Sequence, residues 1–175
     1  MTNVITDVPF GQAEILSATR EEMPVVANLF ELYAHDFSEF HPVEPGPDGL
    51  FGYPALQLYW SEPERYPFLI RVGGKLAGFI LVHRISQTSL SDAVWDMAEF
   101  FVLRANRRCG VGKEAAHLIW RRFPGAWQIR VMDSNRAAYS FWQSAIAEFL
   151  GKAVSSVRIE KSGDTWNVFS FDPSS

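Results

Sequence analysis

The chain has 175 residues, 47% of them apolar and 21% charged; this predicts one folded domain over 1–175 and excludes a disordered or fibrous chain. The net charge of -4 speaks against nucleic acid as a partner, which needs a basic surface, and no apolar run reaches the ~20 residues of a membrane span. The single cysteine, Cys109, excludes an internal disulfide. The opening MTNVITDVPFGQAE has neither a basic nor an apolar leader region, so a cytoplasmic protein is expected. Ala13 to Leu16 reads as a first strand. Thr19 and Glu22 have capping-box spacing, with Pro24 able to push the helix start onward. Val26, Leu29, Phe30, Tyr33, Phe37 and Phe40 then recur at helical spacing. HPVEPGPDGLFGYP, with four prolines and three glycines, ends that helix, and ALQLYW reads as a short second one. From Glu31 to Arg65 seven carboxylates (Glu31, Asp36, Glu39, Glu44, Asp48, Glu62, Glu64) face one cation, Arg65. Solvated loop charge accounts for most of them; the functional alternative is a mouth that attracts a cationic substrate.

Two β-rich runs flank Gly73-Gly74, the signature of a tight hairpin. AVWDMAEFFVL is a further strand, followed by a loop and a helix with a stripe of Val111, Ala115, Leu118 and Ile119. AWQIRVM alternates as a strand. The next helix turns Ala138, Phe141, Trp142, Ala145, Ile146 and Phe149 inward and stops at Gly151. VSSVRIE and TWNVFSF close as a hairpin around Gly163. The order β-α-(α)-β-β-β-α-β-α-β-β predicts an α/β chain of the α+β type, with a single mixed, mostly antiparallel sheet flanked by helices. Its one parallel pair comes from a right-handed crossover between Trp95 and Met132.

The loop RANRRCGVGKEAA leaves a strand and opens a helix, where free N–H groups, the helix dipole and glycines together favour an anion. A Walker A loop would need glycine at Arg107 and Ser or Thr at Glu114. The Rossmann pattern would need glycine at Ala115. What does match is R-x-x-G-x-G, as Arg107-Arg108-Cys109-Gly110-Val111-Gly112, joined on the next helix by N-x-x-A-x-x-F-[YW], as Asn135, Ala138, Phe141 and Trp142. On these motifs and the strand order the chain resembles the GNAT superfamily of acyl-CoA-dependent N-acetyltransferases over nearly its whole length. The family's V-x-P-x-Y-R-G-x-G-I-G is here FFVLRANRRCGVG, with Arg104 and Asn106 for the usual proline and aromatic and Arg108 for a frequent glycine.

The resemblance implies acetyl-CoA as cosubstrate. Arg107, Arg108, Cys109, Gly110, Val111, Gly112 and Lys113 would hold its pyrophosphate. The backbone of Phe101 and Val102 would pair with the pantetheine arm, with Asn135 and Trp142 beside it. It also implies that the strands around Trp95–Leu103 and Ala126–Met132 splay apart, and that the Val102 N–H serves the oxyanion. Transfer to an amine needs a base and a protonated leaving thiolate as well. Glu99, in an apolar strand, is the first candidate for the base; Asp96 is the second, with a salt bridge as its alternative. Relatives often carry tyrosine at the position of Trp142, and an indole is no acid at neutral pH. Tyr139 shares a face with Asn135 and Trp142 at i, i+4, i+7; it or water is the substitute acid, packing being the alternative for the tyrosine. Cys109 as a nucleophile lacks a histidine partner in the sequence, and His35, His41, His83 and His117 have no metal-ligand spacing, so no metal is expected. The expected activity is direct acetyl transfer in a ternary complex to a primary amine of a small cationic molecule. The alternatives are a non-catalytic acyl-CoA-binding module and a peptide N-acetyltransferase. A homodimer is left open.

Overall fold

The computed structural model describes residues 12–85 and 93–174; most of the opening stretch judged to lack a leader lies outside them. One sheet holds β1 (Ala13–Ser17), β2 (Arg65–Val72), β3 (Lys75–Ile85), β4 (Val94–Val102), β5 (Trp127–Met132), β6 (Ser156–Lys161) and β7 (Asp164–Phe171). Its order is β1-β2-β3-β4-β5-β7-β6, antiparallel throughout except for β4 beside β5. Helices α1 (Met23–Phe37), α2 (Val111–Arg122) and α3 (Arg136–Leu150) pack on it. The expected mixed α+β sheet is therefore present.

The local signals have visible causes. The Glu22 carboxylate accepts from the Thr19 N–H at 3.0 Å. A 3-10 turn at Arg20–Glu22 comes first, and α1 proper starts at Met23 with Pro24 in its first turn, where a missing N–H costs nothing. ALQLYW makes a 3-10 turn, Leu56–Trp60, too short to sustain an α-helix between the flanking loops. Gly73 and Gly74 both have positive φ and close the β2–β3 hairpin.

The central strands β2 and β3 are covered on both faces, which is why Phe68-Leu69-Ile70 and Phe79-Ile80-Leu81-Val82 are unbroken apolar runs. Phe68, Ile70, Ile80 and Val82 pack under α2 and α3 with Trp120, Trp127, Ile129, Trp142 and Ile146. Leu69, Phe79, Leu81 and Phe101 pack under α1 with Val26, Leu29 and Phe30. The α2 stripe is rotated from the expected one: Leu118 is half-buried, whereas Ala116, His117 and Trp120 are buried. The neighbouring α3 accounts for the rotation. His117 Nε2 pairs with the Ala145 carbonyl at 2.9 Å, and the Trp120 ring meets Trp142 and Phe149. Among the described residues no helix is long and apolar enough to cross a membrane.

Candidate active site

The site begins with a fault in the sheet. Strands β4 and β5 pair only at Trp95–Trp127 and Asp96–Gln128, and then run on to Val102 and Met132 without meeting. On the other side of β4, Leu81 opposes Glu99 but Val82 opposes Met97, so Ala98 is an extra residue, a β-bulge that sharpens the local twist. The gap is a cleft of about 540 Å³ whose walls include Tyr33, Glu99, Phe100, Arg130, Asn135 and Trp142.

Backbone alternation decides which groups of β4 face that gap. The Leu103 N–H donates to the Ala77 carbonyl at 2.8 Å, so the polar backbone of Phe101, two residues earlier, is also turned to β3. Phe100 and Val102 face the open side. This corrects the expectation for Phe101: its backbone is used within the sheet, and its side chain is buried under α1. The Val102 carbonyl accepts from Arg107 Nε at 2.7 Å, which leaves the Val102 N–H as its open group.

The side chain of Glu99 lies on the α1 side of β4, next to the hydroxyls of Tyr33 and Tyr53. Burial pushes its carboxyl up to about 7, against the opposing pull of Tyr33 and Arg130, while the nearby Asp96 charge adds to the rise. Burial and the Glu99 charge together hold Tyr33 and Tyr53 above the ordinary tyrosine value, hence neutral. Asp96 itself is fully buried. Its Oδ2 accepts from Arg130 at 2.7 Å and lies 3.1 Å from His83 Nε2. His83 Nδ1 faces the Tyr59 hydroxyl at 3.1 Å and Arg65 Nη1 at 3.4 Å. Asp96 thus belongs to a buried ion pair.

The loop between β4 and α2 makes a 3-10 turn at Arg104–Asn106 and then passes through two residues of positive φ, Arg108 at 63° and Gly110 at 88°. The first intrahelical bond of α2 runs from the Glu114 N–H to the Gly110 carbonyl at 3.0 Å, so the N–H groups of Val111, Gly112 and Lys113 are free of helical partners. A Cβ at Gly110 would meet nothing within 4 Å, whereas one at Gly112 would lie 3.3 Å from the Phe141 ring. Gly110 therefore serves the turn and Gly112 the close approach of α3. Most of the cations are spoken for. Asp36 receives Arg104 at 2.6 Å and Arg107 at 2.7 Å, and Lys113 pairs with Glu148 at 2.7 Å. Arg108 has no ion pair among the described residues. The Cys109 thiol donates to the Asn106 carbonyl at 2.9 Å.

On the far wall Asn135 caps α3, its Oδ1 accepting from the Ala138 N–H at 3.0 Å. Trp142 is buried edge-on to Phe100, with ring centres 4.9 Å apart. Tyr139 does not join them. Its hydroxyl receives a hydrogen bond from Ser156 at 3.3 Å, and its ring packs on Phe169. It stands about 60° round the helix from Trp142, enough to turn it to β6 and β7. Sequence reasoning missed Tyr53 as a neighbour of Glu99 and read Tyr33 as plain core. Neither has a local signal, because their meeting with β4 is tertiary. Among the described residues no cluster of three or more His, Cys, Asp or Glu is arranged to hold a metal.

Comparison with known proteins gives this geometry a context. The sequence model described as the acetyltransferase (GNAT) family matches residues 26–147. No curated protein sequence matches the chain. Among solved structures, an acetyltransferase from Thermus thermophilus is 16% identical, with a TM-score of 0.66 over 92% of this chain and 97% of that one. The aminoglycoside acetyltransferase AAC(6')-Ib in complex with coenzyme A is 8% identical, with a TM-score of 0.66 over 92% and 95%. Arabidopsis thaliana NAA60 in complex with acetyl-CoA is 10% identical, with a TM-score of 0.61 over 94% and 100%. At such identities the structures establish likeness of fold.

Proposed function

Because this chain belongs to the GNAT family of acetyltransferases, we propose that it transfers an acetyl group from acetyl-CoA to a primary amine of a small molecule, directly, in one ternary complex. The observation that carries the reading is a coincidence along a single cleft. A carboxyl raised to about 7 lines the gap between β4 and β5, the same strand β4 carries the open backbone N–H of Val102, and the bare helix N-terminus at Gly110–Lys113 follows directly, with Gly112 beside Val102.

The residues present suit the cosubstrate. The free N–H groups of Val111, Gly112 and Lys113, with Arg108 beside them, would hold the pyrophosphate. The cleft-facing backbone of Phe100 and Val102 would pair with the amides of the pantetheine arm as an added strand does, with the Asn135 amide and Trp142 on the opposite wall. Acetyl-CoA supplies the activated acyl carbon. Glu99 takes the proton from the ammonium, a task suited to a carboxyl that titrates near neutrality. The Val102 N–H donates to the acyl oxygen as charge gathers on it. With Tyr139 turned to β6, water returns a proton to the departing sulfur.

Calorimetric titration of CoA into wild type and Gly110→Asp tests the loop. Added negative charge at the bare N-terminus should weaken CoA by about tenfold or more, ~1.4 kcal/mol; equal affinities would remove the phosphate site from this loop. Trp142, where many relatives carry tyrosine, sustains a second reading as a non-catalytic acyl-CoA-binding module. CoA binding without thiol release toward any amine of a broad panel would decide for the module.

A further inference from the structure

Most carboxylates of the acidic segment between Glu31 and Arg65 already have partners among the described residues, Glu39 and Glu44 being the exceptions on the exposed surface. Glu31 accepts the backbone N–H groups of Phe51 and Gly52 at 2.7 and 2.9 Å. Asp36 is held by Arg104 and Arg107, Glu62 by Arg65 at 2.7 Å and Glu64 by Arg84 at 3.3 Å. Asp48 accepts the Leu50 N–H at 3.2 Å within its own turn. Of the seven, Glu44 alone is on the cleft wall, and it is exposed to solvent there.

What the segment contributes to the cleft is apolar surface. On the Glu99 side of β4 the walls are Phe30, Tyr33, Phe37, Val43 and Phe51. Tyr33 stacks on Phe37 with centres 5.8 Å apart, and Phe30 on Tyr53 at 4.7 Å. The wall is thus braced by aromatic contacts. Among the described residues the one cation lining the same space is Arg130, and its guanidinium is already held by Asp96. A second ammonium on the substrate would find no free carboxylate in the interior and a like charge across the gap, and an unpaired charge taken out of water is costly.

We infer that the acceptor is a monoamine carried on an aryl or bulky apolar body, its nitrogen directed to Glu99 and its body held by Phe30, Tyr33, Phe37 and Phe51. This rests on the acetyl-transfer reading and narrows it, and it replaces the expectation of an acceptor recognised through the acidic segment. Glu31 is a positioning residue here: its two bonds to the backbone of Phe51 and Gly52 hold the loop that supplies one wall.

The test is thiol release from acetyl-CoA with 2-phenylethylamine, spermidine and kanamycin as acceptors, together with calorimetric binding of each amine to the CoA-saturated protein. Phenylethylamine should exceed both others in kcat/KM by about tenfold or more. Phe37→Ala should raise its KM about tenfold with the KM for acetyl-CoA unmoved. Glu31→Ala, which leaves every wall side chain in place, should act in the same direction. Preferred turnover of spermidine or kanamycin would overturn the acceptor class and leave acetyl transfer standing. Binding of phenylethylamine that Phe37→Ala weakens, without turnover of any amine, would keep the acceptor class and overturn acetyl transfer. Finding neither binding of phenylethylamine nor turnover of any of the three amines would overturn both.

Discussion

Replacing Glu99 by glutamine should make the ligand-free protein more stable at pH 8 while removing its activity. The folded carboxyl keeps its proton up to about pH 7, whereas an unfolded glutamate releases it near 4.5. Between those values the native state binds more protons than the unfolded one, so stability falls as pH rises. At about 1.36 kcal/mol per tenfold in the equilibrium, the cost is at most about 3 kcal/mol once Glu99 is ionised. Below pH 4.5 it vanishes. Glutamine keeps the shape and a donor to the neighbouring hydroxyls without the buried charge. Glu99→Gln should therefore gain up to about 3 kcal/mol over wild type at pH 8, roughly 5–10 °C in Tm for a chain of this length, and nothing near pH 4. The same change should lower kcat by about 10²- to 10⁴-fold, as loss of a general base does. In wild type, kcat/KM should climb through about pH 7 and then level. The assays are calorimetric melting of both proteins across pH and thiol release with a good acceptor. An equal Tm difference at pH 4 and pH 8 would refute the reasoning, and so would a wild-type rate flat through neutrality.

Two further substitutions probe the supports of the site. Arg108→Gly removes a side chain held at a φ of 63°, and should stabilise the fold by about 0.5–1 kcal/mol after the extra entropy of glycine in the unfolded chain is subtracted. The urea midpoint should rise at constant m, and CoA should bind several-fold more weakly, by a factor that shrinks in high salt. Asp96→Asn strips a buried carboxylate from Arg130 and His83, which should cost about 3–5 kcal/mol in denaturant unfolding. Because Asp96 helps to raise Glu99, the acid limb of the pH–rate profile should move to lower pH in the same variant.

The residues explain which of these features could be read in advance. Alternation in AWQIRVM, the glycine pair at 73 and 74 and the stop at Gly151 are local, and so the order of strands and helices was legible. So was the loop, whose arginines and glycines are contiguous. Three things were not. The bulge at Ala98 exists only because Leu81 and Val82 pair as they do, and that register also decides that Phe100 and Val102, not Phe101, open their backbone to the cleft. Helical spacing put Tyr139 on one face with Asn135 and Trp142, but Ser156 on β6 captures the tyrosine and holds it away from that face. The acidic segment read as a field of charge because its partners are far off in the chain: Glu31 meets Phe51, and Asp36 meets Arg104 and Arg107. Composition counts charges without showing which have been paired.

Asp36 also sharpens the part each arginine plays in the loop. Partial burial pushes its carboxyl up, but the hydrogen bonds from Arg104 and Arg107 outweigh this and hold it below the usual carboxylate range. Arg107 is bound at both ends, with Nη2 on Asp36 and Nε on the Val102 carbonyl, and its guanidinium lies over the Phe101 ring. A phosphate that drew Arg107 away would have to break two charge-assisted hydrogen bonds and leave Asp36 to Arg104 alone. It would also loosen the end of α1 next to Phe37, one wall of the proposed acceptor pocket. The first arginine of R-x-x-G-x-G is therefore best understood here as a strap that ties α1, the end of β4 and the loop into one frame. On the proposed reading, attraction for the anion falls to the bare N–H groups of α2 and to Arg108. Binding would then depend more on the backbone turn at Gly110 than on the number of basic side chains around it.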